Sequence, residues 1–211
     1  MNCWENIFQV FFIYIKKITA AGFLPVCYHQ GKLLFLFGLE SPAEVSAKGW
    51  SDFAGGLDSN ERSGNEKDIY SAALREMSEE TSGFLGGPKQ IDQLVKRNGG
   101  FCKYIFEFPD QEKGRKKIKK TYHIHIFRLD YDEKLIEYYN NCHKFLYEKL
   151  NHKLLASTKV FEKINIRWFT LEEMEQRRSS FRSFYRDIVD ELIFEGNEIE
   201  KFVKSTIRNK R

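Results

Sequence analysis

Gly55-Gly56, followed downstream by Arg75-Glu76-Met77-Ser78-Glu79-Glu80-Thr81-Ser82-Gly83-Phe84, is the stretch on which the reading of this 211-residue chain turns. Glu76, Glu79 and Glu80 stand three and four residues apart. A helix over 69–81, capped by Asp68, gathers them on one face. Like charges at that spacing repel by roughly 0.2–0.5 kcal/mol per pair in water, and no lysine is interleaved to relieve them. Three hard oxygen donors behind a Gly-Gly turn therefore point to a divalent cation such as Mg2+, with Mn2+ as a substitute. The Gly56 carbonyl is a further candidate ligand, because glycine lets backbone approach an ion. On the same helix Ile69, Ala73 and Met77 repeat at four-residue spacing and face the core. Small Ala72 leaves room for the preceding loop.

These residues resemble the Nudix box. Its pattern is glycine, five residues, glutamate, seven residues, then Arg-Glu-U-x-Glu-Glu-x-Gly-U, with U a bulky apolar residue. Arg75 to Glu80 match the core of that pattern in full. Two departures stand out. The loop from Gly56 to Arg75 is longer than the pattern, so Lys67 occupies the position eight before Arg75, and Glu66 is one residue out of register. Thr81 and Ser82 stand before Gly83 where the pattern has one residue; Gly83 can still supply a left-handed turn that stops the helix. Trp50-Ser51-Asp52-Phe53-Ala54-Gly55-Gly56 looks like the tryptophan-led approach to the box, without its usual proline. Ile164 to Met174, with Trp168 inside it, looks like the later strand and short helix of the same family.

The resemblance implies an α/β/α sandwich with a mixed sheet over about residues 18–175. Here it carries an inserted helix near 133–155 and a C-terminal helical extension near 179–207, the whole forming a single domain. It also implies a magnesium-dependent hydrolase that cleaves the pyrophosphate linkage of a nucleoside diphosphate derivative. Glu76, Glu79, Glu80 and Gly56 would hold the metal, and Glu76 and Glu80 would also serve catalysis. Arg75 would organise the carboxylates; the family's upstream glutamate partners this arginine, so Glu66 or Asp68 has to take that part. Glu162, six residues before Trp168, sits where the family often carries a late glutamate as ligand or general base; a box glutamate can serve as base instead. Metal ions suit this chemistry, because they neutralise phosphate oxygens, acidify bound water and align attacking and leaving groups.

Three readings of function stay open. The first is a small-nucleotide hydrolase, acting on a dinucleoside polyphosphate, a nucleoside triphosphate or a nucleotide sugar. The second is removal of the 5′ cap of messenger RNA. The third is a non-catalytic Nudix-fold nucleotide or RNA binding module, against which the intact carboxylates argue. Lys113, Arg115, Lys116, Lys117, Lys119 and Lys120 crowd a hairpin read over 111–120 between strands 101–108 and 121–129. Arg115, Lys116 and Lys117 are its candidate phosphate contacts, set against the plainer reading of a soluble hairpin tip.

Bulk properties set the frame. The content is 42% apolar and 15% aromatic, enough for a sizeable core, and the net charge of +4 permits anionic substrates without demanding nucleic acid. Cys3, Cys27, Cys102 and Cys142 form no CxxC pair, which speaks for free thiols in a reducing, cytoplasmic setting and against zinc. The apolar run Ile7 to Ile15 is too short to span a bilayer, and Glu5 stands where a signal peptide wants positive charge. It reads as a buried N-terminal element, with no membrane partner. His123 and His125 read as a packed sheet face, and Trp50 and Trp168 as core. Ala21–Tyr28 and Leu33–Phe37 read as strands joined by a turn at His29–Lys32.

Overall fold

The computed structural model describes residues 13–41, 48–61, 65–113, 116–151 and 162–208. β1 (Ile13–His29) and β2 (Lys32–Glu40) form a hairpin about Gln30-Gly31. β2 reads Leu33-Leu34-Phe35-Leu36-Phe37 without alternation because both its faces are buried. Leu34 and Leu36 enter one core cluster, and Leu33, Phe35 and Phe37 enter the other. Short β3 (Trp50–Ser51) pairs with β2, and β4 (Phe53–Gly55) pairs with β1 at Ala21–Phe23. β5 (Phe101–Lys113) runs antiparallel to β6 (Lys116–Arg128), which lies parallel to β1. β7 (Lys163–Thr170) pairs antiparallel with β2 and completes a seven-stranded mixed sheet.

Helices cover both faces, as the α/β/α expectation requires. α1 (Glu66–Glu80), α2 (Pro88–Arg97) and α3 (Glu133–Lys149) pack one face through Ile69, Met77, Ile91, Val95 and Tyr139. α4 (Leu171–Gln176), α5 (Arg186–Phe194) and α6 (Gly196–Arg208) pack the other through Met174, Ile188, Leu192, Ile199 and Val203. A capping box starts α4: the Thr170 hydroxyl accepts from the Glu173 amide at 3.1 Å, and the Glu173 carboxylate accepts from Thr170 N–H at 3.1 Å. Trp50 packs edge-on to Phe169 with ring centres 5.0 Å apart, and Trp168 is buried, so both tryptophans serve the core as expected.

Several boundaries differ from the sequence reading. α1 starts at Glu66, not 69. Its cap is Asn65, whose side chain accepts from the Asp68 amide at 2.8 Å, so Asp68 lies inside the first turn. α2 has no counterpart in the sequence reading. Strand takes up most of the lysine-rich stretch read as a hairpin over 111–120: β5 reaches Lys113 and antiparallel β6 begins at Lys116, and Gly114 and Arg115 between them lie outside the described residues. The apolar N-terminal run enters β1 from Ile13 onward; its earlier residues also lie outside those described. The inserted helix ends at Lys149 instead of 155.

The inserted helix α3 is tied to the rest by polar bonds as well as packing. The Tyr139 hydroxyl lies 2.7 Å from the Lys163 carbonyl and 3.0 Å from the Glu80 carbonyl, and its one proton is shared between them. Asn140 pairs with the Ile166 backbone in both directions, at 3.1 and 2.9 Å. Tyr139→Phe keeps the ring and removes the one donor shared by these carbonyls, so it should destabilise the protein by about 1–3 kcal/mol. Urea unfolding should show a lower midpoint at unchanged slope.

Candidate active site

The site is assembled where β4 leaves the sheet and α1 passes over it. Gly55 ends β4 directly against the Glu76 carboxyl: a side-chain carbon at Gly55 would lie 2.3 Å from Glu76 Oε2. A side chain there would push the Glu76 carboxyl out of its place.

Arg75 bonds the box carboxylates Glu76 and Glu79 as the sequence reading expects, but its upstream partner is neither Glu66 nor Asp68. Its Nη2 donates to Glu61 Oε2 at 3.0 Å and to the Gly56 carbonyl at 2.9 Å, and its Nε donates to Glu61 Oε1 at 3.3 Å. Its Nη1 reaches Glu76 Oε1 at 2.6 Å and Glu79 Oε2 at 3.3 Å, and Asp58 lies 3.4 Å from Nε. Glu66 instead pairs with Lys103 on the surface. The upstream glutamate is therefore Glu61, six residues after Gly55, as the pattern demands; the extra residues all fall between Glu61 and Arg75. Counting forward from Gly55 finds it, whereas counting back from Arg75 across the insertion does not. Burial tends to raise the Glu61 carboxyl, but Arg75 and the Asp58 amide outweigh it and hold it below the usual carboxylate range.

The three box carboxylates do not share one environment. Glu79 is exposed and Glu76 is buried beneath Arg75. Burial raises the Glu76 carboxyl against the pull of Arg75, and the charges of Glu79 and Glu162 raise it further. Glu162 is thus near enough for its charge to act on Glu76, and its carbonyl accepts from Ser41 N–H at 2.9 Å. Glu80 points inward, where Lys163 Nζ lies 3.3 Å from Oε1, while Oε2 is buried without a hydrogen-bond partner.

Around Glu80 lies a buried polar cluster that the sequence reading missed. Lys163, fully buried, bonds Glu40 and the Ser51 hydroxyl. Arg182, from the C-terminal extension, reaches the same Glu40 oxygen at 2.8 Å. The Tyr122 hydroxyl donates to Asp52 at 2.7 Å, and burial pushes the Asp52 carboxyl up to about 7. Burial raises Glu80 as well, although Lys163 opposes the shift. Glu40, Asp52 and Glu80 thus face the two cations Lys163 and Arg182. Burial alone would lower the Lys163 ammonium, but Glu80 and Glu40 outweigh it and keep the lysine charged. A lysine at the start of an apolar strand carries no sequence signal for this role.

The charge excess and the orphaned Glu80 oxygen suit a divalent cation in kind, with Glu76, Glu79 and Glu80 as hard donors. The Gly56 carbonyl stands at the same rim but is turned to Arg75. Among the described residues, no group of three or more histidine, cysteine, aspartate or glutamate side chains is already arranged to hold a metal ion; Arg75 and Lys163 stand among the carboxylates instead. His125 is a packed residue, as expected: it donates from Nδ1 to the Gly22 carbonyl at 3.1 Å, and burial lowers it to about 4, so it is neutral at neutral pH. The buried His123 ring lies 3.1 Å from the Thr121 hydroxyl. No described helix is long and apolar enough to cross a membrane.

No family model matches the chain, and no curated protein does. Among solved structures, the chain is similar to a Caenorhabditis elegans Ap4A hydrolase in a binary complex, at 18% identity over 89% of this chain and 98% of that one, TM-score 0.45. It is also similar to the Nudix domain of Shewanella oneidensis NrtR complexed with ADP ribose, at 13% identity over 92% and 93% of the two chains, TM-score 0.41.

The Arg75 geometry separates the candidate partners. Glu61→Ala should remove two bonds to a half-buried guanidinium and cost about 1–3 kcal/mol. Glu66→Ala, which breaks only a surface pair, should stay within about 0.5 kcal/mol of the parent. Thermal unfolding of the two variants side by side checks the assignment.

Proposed function

We propose that this chain is a magnesium-dependent Nudix-type hydrolase that cleaves the pyrophosphate linkage of a nucleoside diphosphate derivative. The observation that carries this reading is Arg75, which gathers the loop glutamate Glu61, the Gly56 carbonyl and the helix carboxylates Glu76 and Glu79 in the order of the Nudix pattern. A structural salt bridge needs one carboxylate; this arginine lies within salt-bridge distance of four.

Glu76, Glu79 and Glu80 would hold the metal, which supplies Lewis acidity at the phosphate and a more acidic bound water. Arg75 fixes the orientation of Glu76 and braces the loop that carries Gly55 and Gly56. Lys163 holds Glu80 from beneath. Glu162, whose charge acts on Glu76, is the candidate proton acceptor; a carboxyl with a raised pKa, such as Glu76, is the other. The preferred substrate class is a small nucleotide: a dinucleoside polyphosphate, a nucleoside triphosphate or a nucleotide sugar. Cap removal from messenger RNA uses the same chemistry and is the second reading, favoured by the run of lysines that extends from the site.

A panel of these nucleotides and capped RNA, each with Mg2+ and with Mn2+, tests the proposal. Glu79→Gln and Glu80→Gln should each lower kcat by about two orders of magnitude or more while the fold survives. Near-parental turnover by both variants at saturating magnesium would sink the assignment. Glu162→Gln should lower kcat with little change in KM if Glu162 takes the proton; unchanged kinetics return that part to the box.

A further inference from the structure

β1, β6 and β5 extend past the site as a three-stranded arm, and the arm carries the charge of the molecule. Residues 13–17, 107–113 and 116–120 hold seven lysines against three carboxylates, a surplus of four that equals the net charge of the whole chain. The ladder places like charges opposite each other: Lys16 pairs with Lys119, Lys17 with Lys120, and Lys113 with Lys116. Lysines directly opposite across a ladder destabilise it. The ion pair of Lys119 with Glu107 offsets part of this.

Protection of sheet edges accounts for some of these residues, since edge lysines discourage pairing with other chains. It does not account for Lys116, Lys117, Lys119 and Lys120. They lie on β6, the central strand of the arm, with β1 on one side and β5 on the other. The arm is also continuous with the site. The Thr19 hydroxyl donates to the Thr121 carbonyl at 2.9 Å, and a side-chain carbon at Gly56 would lie 3.9 Å from the Thr19 carbonyl. Lys17 and Lys120 follow within two residues along the same strands. From Thr121 to Lys116 the strand runs on the order of 17 Å, room for several backbone phosphates.

We propose that this arm binds the phosphate backbone of a single-stranded nucleic acid whose 5′ end lies at the carboxylate site. The polarity of the bound strand rests on the second reading above, cap removal; the binding itself does not. Affinity then comes from release of counterions and falls steeply with salt.

The test uses the full chain and a fluorescein-labelled single-stranded RNA oligonucleotide, followed by fluorescence anisotropy without metal at about 50 and 200 mM salt. Replacing Lys17, Lys119 and Lys120 by Ser should weaken binding about tenfold or more at the lower salt. The slope of log affinity against log salt should fall by about 2, at roughly 0.7 per lost phosphate contact. The melting temperature should not drop, because opposed charges are removed. If the triple variant melts early, Lys17→Gln with Lys120→Gln is judged by the same slope. Glu79→Gln should bind the RNA like the parent, so loss of turnover and loss of binding are read separately. Equal affinity and slope for parent and lysine variants would overturn the proposal. So would a parent that binds vesicles of phosphatidylserine but not the RNA.

Discussion

The Arg75 guanidinium joins parts of the chain that nothing else would hold together. Through it the loop carrying Asp58 and Glu61, the Gly56 backbone and the face of α1 with Glu76 and Glu79 become one unit. A planar group with donors fixed in a fork can do this, whereas a lysine could only balance charge. The loop has little apolar surface of its own beyond Leu57. Its position over the helix therefore depends on charge-assisted bonds more than on packing. Gly55, fixed by the pairing of β4 with β1, leaves the space beside Glu76 into which Arg75 steers that carboxylate.

A second ionic centre lies beneath the first and has a different logic. Lys163 comes from the start of β7, Glu40 from the end of β2, Glu80 from the end of α1 and Arg182 from the C-terminal segment. Buried ions are costly to desolvate, and an arrangement with orphaned oxygens on Asp52 and Glu80 is a poor device for stability alone. Its effect is geometric. It makes the direction of Glu80 depend on the sheet and on the C-terminal helices together. The extension is thereby connected to the site through two side chains, Glu40 and Lys163.

How much of this is legible in the sequence follows the physics of each element. The apolar run of β2 and the Ile69–Ala73–Met77 spacing announce themselves because core packing imposes a period on the sequence. The box glutamates and Arg75 are legible because their spacing is tied to one helix. Glu61 is hidden by an insertion that shifts register without changing contact. The division between Glu79 and Glu80 is hidden too: adjacent residues lie about 100° apart on a helix, and the lysine that draws Glu80 inward sits on a strand far along the chain. The strand character of the lysine-rich arm leaves no alternation to read, since it lies beyond the core. α2 is short, and only Gly87-Pro88 and the trio Ile91, Leu94 and Val95 mark it.

The paired bonds between Asn140 and Ile166 have a further consequence. Among the described residues β7 joins the sheet only through β2, so its other margin offers backbone donors and acceptors. Asn140 answers them with an amide that imitates a neighbouring strand, and α3 lies along the same margin. The inserted helix therefore acts as a lid on a surface that would otherwise invite a strand from another molecule. Shortening the insertion toward a plain loop would take Tyr139 away from the backbone of Glu80 and Lys163 and at the same time turn a covered margin into a template for self-association.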